Sequence, residues 1–157
     1  MRSLEMVEDE LYQNDIQIHD TIDGGVPGHK AISFQFDCGL KAVVLNNHLI
    51  ESDAEKKLIL CHEKIHFDFP STFYTFDDTE RTIRTRERRV EVKLYKKLLP
   101  MNKLFRFVYT DHLSSWEIAE QLELPDRFVG EALNYYSNLE SWNKLLSGTQ
   151  TNTEGDR

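Results

Sequence analysis

The alternation of apolar and polar residues predicts a pair of strands in the first third of the chain. In residues 29–37, HKAISFQFD, every second position from Ile32 to Phe36 is apolar, which is typical of a half-buried strand. Residues 40–46, LKAVVLN, are more continuously apolar and predict a second, more buried strand. Gly39 lies between the two and favours a turn, so a β-hairpin is the expected unit.

Apolar residues spaced three and four positions apart predict helices on both sides of this hairpin. A short helix is expected over residues 3–13. A second helix is expected to start at Ser52, because SDAE has the form of a capping box in which Glu55 reaches back, and to end by Pro70. A third, longer helix is expected over residues 78–99, since a proline follows directly.

The C-terminal part of the chain predicts two short helices and a tail. Residues 113–139 are interrupted near Leu124 and Pro125, which gives a helix-turn-helix-like segment. Residues 148–157 contain no apolar side chain and predict a disordered tail after a single domain over 1–147. The expected fold class is α+β: a small antiparallel sheet packs on the second and third helices, with a helical C-terminal portion.

Composition narrows the classes of function. The 27 acidic and 19 basic residues give a formal net charge of −8, which argues against direct DNA binding, because phosphate contacts favour a basic face. Cys38 and Cys61 lack metal-type spacing and indicate reduced thiols in a cytoplasmic protein. No stretch approaches the roughly 20 apolar residues of a membrane span, and the acidic N-terminus does not resemble a signal peptide.

Residues 61–66, CHEKIH, contain a candidate metal site on the second predicted helix. His62 and His66 are four positions apart, so their rings lie on one helix face and can converge on a zinc ion. Glu63 would lie beside the metal, where a carboxylate can take a proton from bound water as a general base. The alternative is a chance motif on a solvated helix. The position of both histidines beside an apolar stripe favours the metal site.

A third ligand is expected from the helix over residues 78–99. Its apolar stripe contains one charged residue, Glu87, and a carboxylate in an apolar stripe is costly unless it is paired or metal-bound. Glu91, one turn further on, is the alternative ligand. We favour Glu87 as the ligand and Glu91 as a hydrogen-bond acceptor that orients a histidine ring. A rotation of the helix that pairs Glu87 with a nearby arginine is the third possibility.

Three blocks in this order resemble the ImmA/IrrE family of bacterial and phage metallopeptidases. They are the hairpin with the CHEKIH helix, ERRVEVKLYKKLLP over 87–100, and LSSWEIAEQLELPDRFVGEAL over 113–133. The family's register implies that Glu87 is the third metal ligand. Ile65 stands where the family usually has glycine, and Lys93 and Leu94 stand where it has phenylalanine and alanine, so the chain resembles a divergent member.

The resemblance implies a zinc-dependent endopeptidase whose substrate is a helix-turn-helix repressor of a prophage or mobile element. Cleavage of that repressor would relieve repression. One alternative is a catalytically weak or inactive antirepressor, which acts by protein binding and has a structural metal site. Another is a DNA-binding regulator that uses residues 113–135, although Glu117, Glu120 and Glu123 would repel phosphate.

A run of basic residues in the third helix has two interpretations. It could dock an acidic partner or nucleic acid, or it could be a solvated helix face, and we favour the solvated face. The residues are Arg81, Arg84, Arg86, Arg88, Arg89, Lys93, Lys96 and Lys97. The loop over residues 70–77 directly follows the CHEKIH helix and is expected to border the site.

Overall fold

The computed structural model describes residues 3–21, 28–73 and 77–150, and for residues 148–150 it describes the backbone alone. The chain divides between Leu94 and Tyr95 into two compact units. The elements that begin in the first unit are α1 (Leu4–Gln13), β1 (Ile16–Thr21), β2 (Ala31–Gln35), β3 (Lys41–Asn46), α2 (Asp53–Asp68), a 3₁₀ turn (Pro70–Thr72) and α3 (Glu80–Leu98). Those of the second unit are α4 (Met101–Tyr109), α5 (Ser115–Leu122), α6 (Asp126–Ser137) and α7 (Glu140–Gln150). The α+β class with a helical C-terminal portion is thus confirmed, and the single domain over 1–147 stays a prediction.

The sheet has the strand order β1-β3-β2, and it is mixed rather than antiparallel. The predicted hairpin is confirmed, since β2 pairs antiparallel with β3. The expectation of a purely antiparallel sheet was wrong, because β1 adds to the other side of β3 in parallel. In β1, IQIHDT, polar residues outnumber apolar ones, so the sequence pattern did not predict this strand.

The hairpin turn depends on Gly39. The Phe36 amide donates to the Leu40 carbonyl at 2.9 Å, which leaves three residues in the loop. Gly39 has φ +89°, and a left-handed glycine is the usual last residue of a three-residue hairpin loop. The turn therefore sets the register in which Ser33 lies opposite Val43.

The alternation along β2 does not separate a buried face from an exposed one. Ile32 and Ser33 are both half-buried, whereas Phe34 and Gln35 are both exposed. The rings of Phe34 and Phe36 stack at 6.2 Å. Helix α2 contacts β2, and Ser33 hydrogen-bonds Glu63 of that helix, so the strand supplies a partner for a buried carboxylate.

Helix α2 is the central element of the first unit. The Ser52 hydroxyl accepts from the Glu55 amide, as predicted, while the Glu55 carboxylate accepts from the Glu51 amide rather than from Ser52. The helix contacts α1, β2 and the 3₁₀ turn. It is therefore buried on most sides, and its polar buried residues include Lys64, whose ammonium donates to Asp68 at 2.8 Å.

Helices α5 and α6 form the predicted helix-turn-helix-like segment of the second unit. Ser114 and Glu117 form a capping box at the start of α5. Glu123 ends that helix with φ +50°, and α6 begins after Pro125. Ile118 and Phe128 are buried, whereas Trp116 is 59% exposed. Trp116 lies in the first turn of α5, on the side away from Ile118.

The predicted C-terminal tail does not begin at residue 148. Helix α7 extends to Gln150, so residues 148–150 continue a helix. The remainder of the predicted tail, residues 151–157, lies outside the described part of the chain, as do residues 22–27. Among the helices that the structure describes, none is both long enough and apolar enough to cross a bilayer.

Candidate metal centre

Helix α2 brings the two predicted histidine ligands together. His62 and His66 lie one turn apart, and their Nε2 atoms are 3.2 Å from each other. Their ring centroids are 5.0 Å apart and the planes are tilted by 59°. Both rings thus direct the same nitrogen atom at one point, which is the arrangement a shared cation requires.

Glu87 of α3 supplies the third group. Its Oε2 atom lies 3.1 Å from Nε2 of His62, and its Oε1 atom lies 3.6 Å from Nε2 of His66. A tetrahedral zinc with bonds of about 2.0–2.1 Å requires ligand atoms about 3.3–3.4 Å apart. The two Glu87 distances involve different oxygen atoms, and one ligand atom from each of the three residues lies within 4.8 Å of the others. These three residues could hold a metal ion.

The centre is accessible from one side. The His66 side chain is 6% exposed, whereas those of His62 and Glu87 are 25% and 32% exposed. Catalytic zinc sites have three protein ligands and a fourth position for water or substrate. The exposure of His62 and Glu87 leaves the centre partly open to solvent on their side.

The charges of the three groups are mutually dependent. Burial lowers the pKa of His62, but the hydrogen bond to Glu87 and the charges of Glu63, Glu87 and Glu91 outweigh it and raise the pKa above its usual value. Burial raises the pKa of Glu87, but the hydrogen bond and charge of His62 lower it overall. Burial and the neighbouring His62 lower the pKa of His66. The nearby carboxylates therefore favour positive charge at this centre.

Glu63 lies in a buried environment next to these groups. It is 8% exposed, and burial raises the pKa of its carboxyl above the usual range. Its charge interacts with His62 and Glu87, and the Ser33 hydroxyl of β2 donates a hydrogen bond to it. A carboxylate with a raised pKa is a better proton acceptor near neutral pH than an exposed one.

Glu91 has a different partner. Its Oε2 accepts from Nη1 of Arg88 at 2.9 Å, and its side chain is 44% exposed. Its charge still contributes to the raised pKa of His62. Within the described residues, the metal-binding group contains Glu87 and not Glu91.

Two residues near the centre had no signal in the sequence pattern. Ser33 belongs to the polar side of the β2 alternation. Thr72 lies in the 3₁₀ turn after α2, and its Oγ1 atom is 3.0 Å from Nδ1 of His66. Both contacts join residues from separate elements, so spacing along the chain could not reveal them.

The basic residues of α3 form an exposed groove. It has a volume of about 560 Å³ and is lined by Arg81, Arg84, Thr85, Arg88 and Arg89. Two of these arginines form ion pairs along the helix, Arg84 with Glu80 at 2.7 Å and Arg88 with Glu91 at 2.9 Å. Such pairs are typical of a solvated helix face.

No family model, no curated protein and no solved structure matches this chain.

Proposed function

We propose that the protein is a zinc-dependent endopeptidase. One observation carries this proposal: the Nε2 atoms of His62 and His66 and the carboxylate of Glu87 converge at separations of 3.1–3.6 Å. Zinc bound by these residues would polarise a carbonyl and acidify water, which is the chemistry of peptide hydrolysis. Other residues of the chain would then transfer the proton and bind the peptide.

Glu63 is the proposed proton carrier. Its buried carboxylate would accept the proton of the attacking water and return it to the leaving amine, which is a general base and then a general acid role. The Ser33 hydrogen bond holds the carboxylate in place from the side of the sheet. A raised pKa suits both halves of this transfer, because the group must gain and lose a proton near neutral pH.

The edge of β2 supports a peptide as the substrate. The Lys30 carbonyl accepts from Asn46 and the Phe36 amide donates to Leu40, so the even-numbered residues direct their backbone groups to β3. Backbone groups alternate along a strand, so those of Ala31, Ser33 and Gln35 point to the other edge. Within the described residues, no strand pairs there. An extended peptide that adds to this edge would pass Ser33, the residue that hydrogen-bonds Glu63.

The proposed substrate is a helix-turn-helix repressor encoded beside this protein. This part rests on the resemblance of the CHEKIH, 87–100 and 113–133 blocks to the ImmA/IrrE family. Cleavage of the repressor would switch on the genes of the mobile element.

The substitution Glu63→Gln tests the proposal. It keeps the size of the side chain and removes the proton acceptor, so it should abolish cleavage of the co-encoded repressor while zinc content and repressor binding stay at wild-type levels. The measurements are metal analysis, gel analysis of the cleavage reaction and a pull-down of the repressor. Undiminished cleavage by Glu63→Gln would disprove the general-base role. Repressor inactivation without any cleavage would favour the antirepressor that acts by binding.

A further inference from the structure

Thr72 is placed to act on a metal ligand without touching the metal position. It is 3% exposed and lies in the 3₁₀ turn directly after α2. Its Oγ1 atom is 3.0 Å from Nδ1 of His66 and 2.7 Å from the carbonyl oxygen of Phe69. The hydroxyl therefore sits between a ring nitrogen and a carbonyl group.

The number of protons fixes the direction of both hydrogen bonds. A hydroxyl has one proton, and a carbonyl oxygen can only accept. At 2.7 Å the contact with Phe69 is attractive only if the Thr72 proton points at that carbonyl. Oγ1 then has only lone pairs for His66, so Nδ1 of the ring must donate. In neutral imidazole, a proton on Nδ1 leaves the lone pair on Nε2.

We infer that Thr72 is a positioning residue that holds His66 in the tautomer with a free Nε2 atom. That atom faces Nε2 of His62 at 3.2 Å and the Glu87 carboxylate at 3.6 Å, which is the proposed metal position. The inference deepens the proposed function and rests on it for its purpose. The hydrogen-bond arrangement itself does not depend on metal.

Neighbouring contacts keep the turn in place. The Phe73 ring lies 5.5 Å from the His66 ring and 5.6 Å from the Phe67 ring. Arg86 of α3 donates to the Phe73 carbonyl and to Asp78. The residue beside the ligand Glu87 thus anchors the segment that orients the ligand His66, so the geometry of the two ligands is linked through Arg86.

Two substitutions at Thr72 distinguish the effect of its hydroxyl on His66 from any effect on the fold. Thr72→Val has nearly the same shape but lacks the hydroxyl that contacts Nδ1 of His66, whereas Thr72→Ser keeps it. Thr21→Val is the matched control, because the Thr21 hydroxyl also donates to a backbone carbonyl, that of Leu45, at 2.9 Å. It removes a bond of the same kind in the same unit and leaves His66 untouched.

The first measurement is the tautomer of His66 in the metal-free full-length protein. Long-range ¹H–¹⁵N NMR at about pH 8, where an imidazole is neutral, should show the wild-type proton on Nδ1. Thr72→Val should shift the population towards the Nε2–H form, and Thr21→Val should not. A wild-type His66 with its proton on Nε2 would overturn the inference, and this result does not require any variant to fold.

The second measurement is the affinity for zinc chloride, from competition with a chromogenic chelator. Loss of a hydrogen-bond partner of a metal ligand typically weakens binding about 10–100-fold, which is the loss expected for Thr72→Val. Thr72→Ser and Thr21→Val should stay close to wild type. Equal affinities for wild type and a folded Thr72→Val would overturn the role of Thr72 while the metal site stands. A wild type that binds no zinc would overturn the proposed function and leave the NMR result to decide about Thr72.

Discussion

Glu87 and Glu91 lie one turn apart on α3, but their side chains have different partners. Glu87 contacts both histidines, and Glu91 pairs with Arg88. The sequence favoured Glu87 because it is the charged member of an apolar stripe. The structure supports that physical argument, since the stripe places Glu87 beside buried His66 and leaves Glu91 more exposed.

Paired substitutions test this assignment. Glu87→Gln should weaken zinc binding by more than about 100-fold, because it removes a ligand rather than a partner of a ligand. Glu91→Gln removes the same charge one turn away and should change zinc affinity by much less. Isothermal titration of metal-free protein with zinc measures both. A larger loss from Glu91→Gln than from Glu87→Gln would contradict the assignment.

At the scale of elements, the contribution of Glu55 at the start of α2 to the free energy of unfolding depends on pH. Burial raises the pKa of the Glu55 carboxyl, but the Glu51 amide and the Lys30 ammonium outweigh it and lower the pKa below its usual value. A group whose pKa is lowered by folding stabilises the fold above its unfolded pKa. This contribution is lost as the pH falls through the lower folded value.

Glu55→Gln should therefore destabilise the protein at neutral pH and have little effect in acid. The expected loss at pH 7 is roughly 0.2–1 kcal/mol, the range for a partly exposed ion pair. The difference from wild type should shrink as the pH falls below the unfolded value of about 4.3 and vanish below the lower folded pKa. Urea unfolding at a series of pH values measures it. Glu51→Gln, a neighbouring exposed carboxyl, controls for net charge. A difference that persists in acid would show that the ion pair is not its source.

The free edge of β2 gives a test of substrate binding. Proline is tolerated on an edge strand where its missing N–H points away from the sheet, and Gln35 is such a position. Gln35→Pro should keep the fold and zinc affinity but reduce kcat/KM for the repressor, because a paired peptide would lose a hydrogen bond. Gln35→Thr keeps the N–H and is the control. Equal kcat/KM for the proline and threonine variants would argue against strand addition.

The sequence predicted some elements far better than others. Ser52 and Pro70 bound α2 correctly, because a capping side chain and a proline act locally. It missed β1, which is stabilised by pairing with β3 rather than by its own alternation. The alternation along β2 did not show which of its side chains would contact α2, because that depends on where the helix packs.

At the scale of the molecule, the candidate site is discontinuous in sequence but local in structure. His62, His66 and Glu87 all belong to the unit that ends at Leu94. Two ligands follow from helical spacing, and the third followed from stripe geometry and family resemblance. The roles of Thr72 and Ser33 could not be predicted from spacing, stripe geometry or resemblance. Their hydrogen bonds to His66 and Glu63 depend on how separate elements fold together.

Because the three metal-binding side chains come from two helices, a bound ion would join α2 to α3. A ligand present at 100 times its Kd stabilises the folded state by about 2.7 kcal/mol, which corresponds to roughly 5–10 °C in Tm for a chain of this size. Chelation with EDTA should lower the Tm of the wild type by that amount and leave Glu87→Gln unchanged, as differential scanning fluorimetry can measure. In a living cell, the supply of the ion would then influence how long each copy escapes degradation, so starvation for zinc would lower the abundance of the protein as well as its activity.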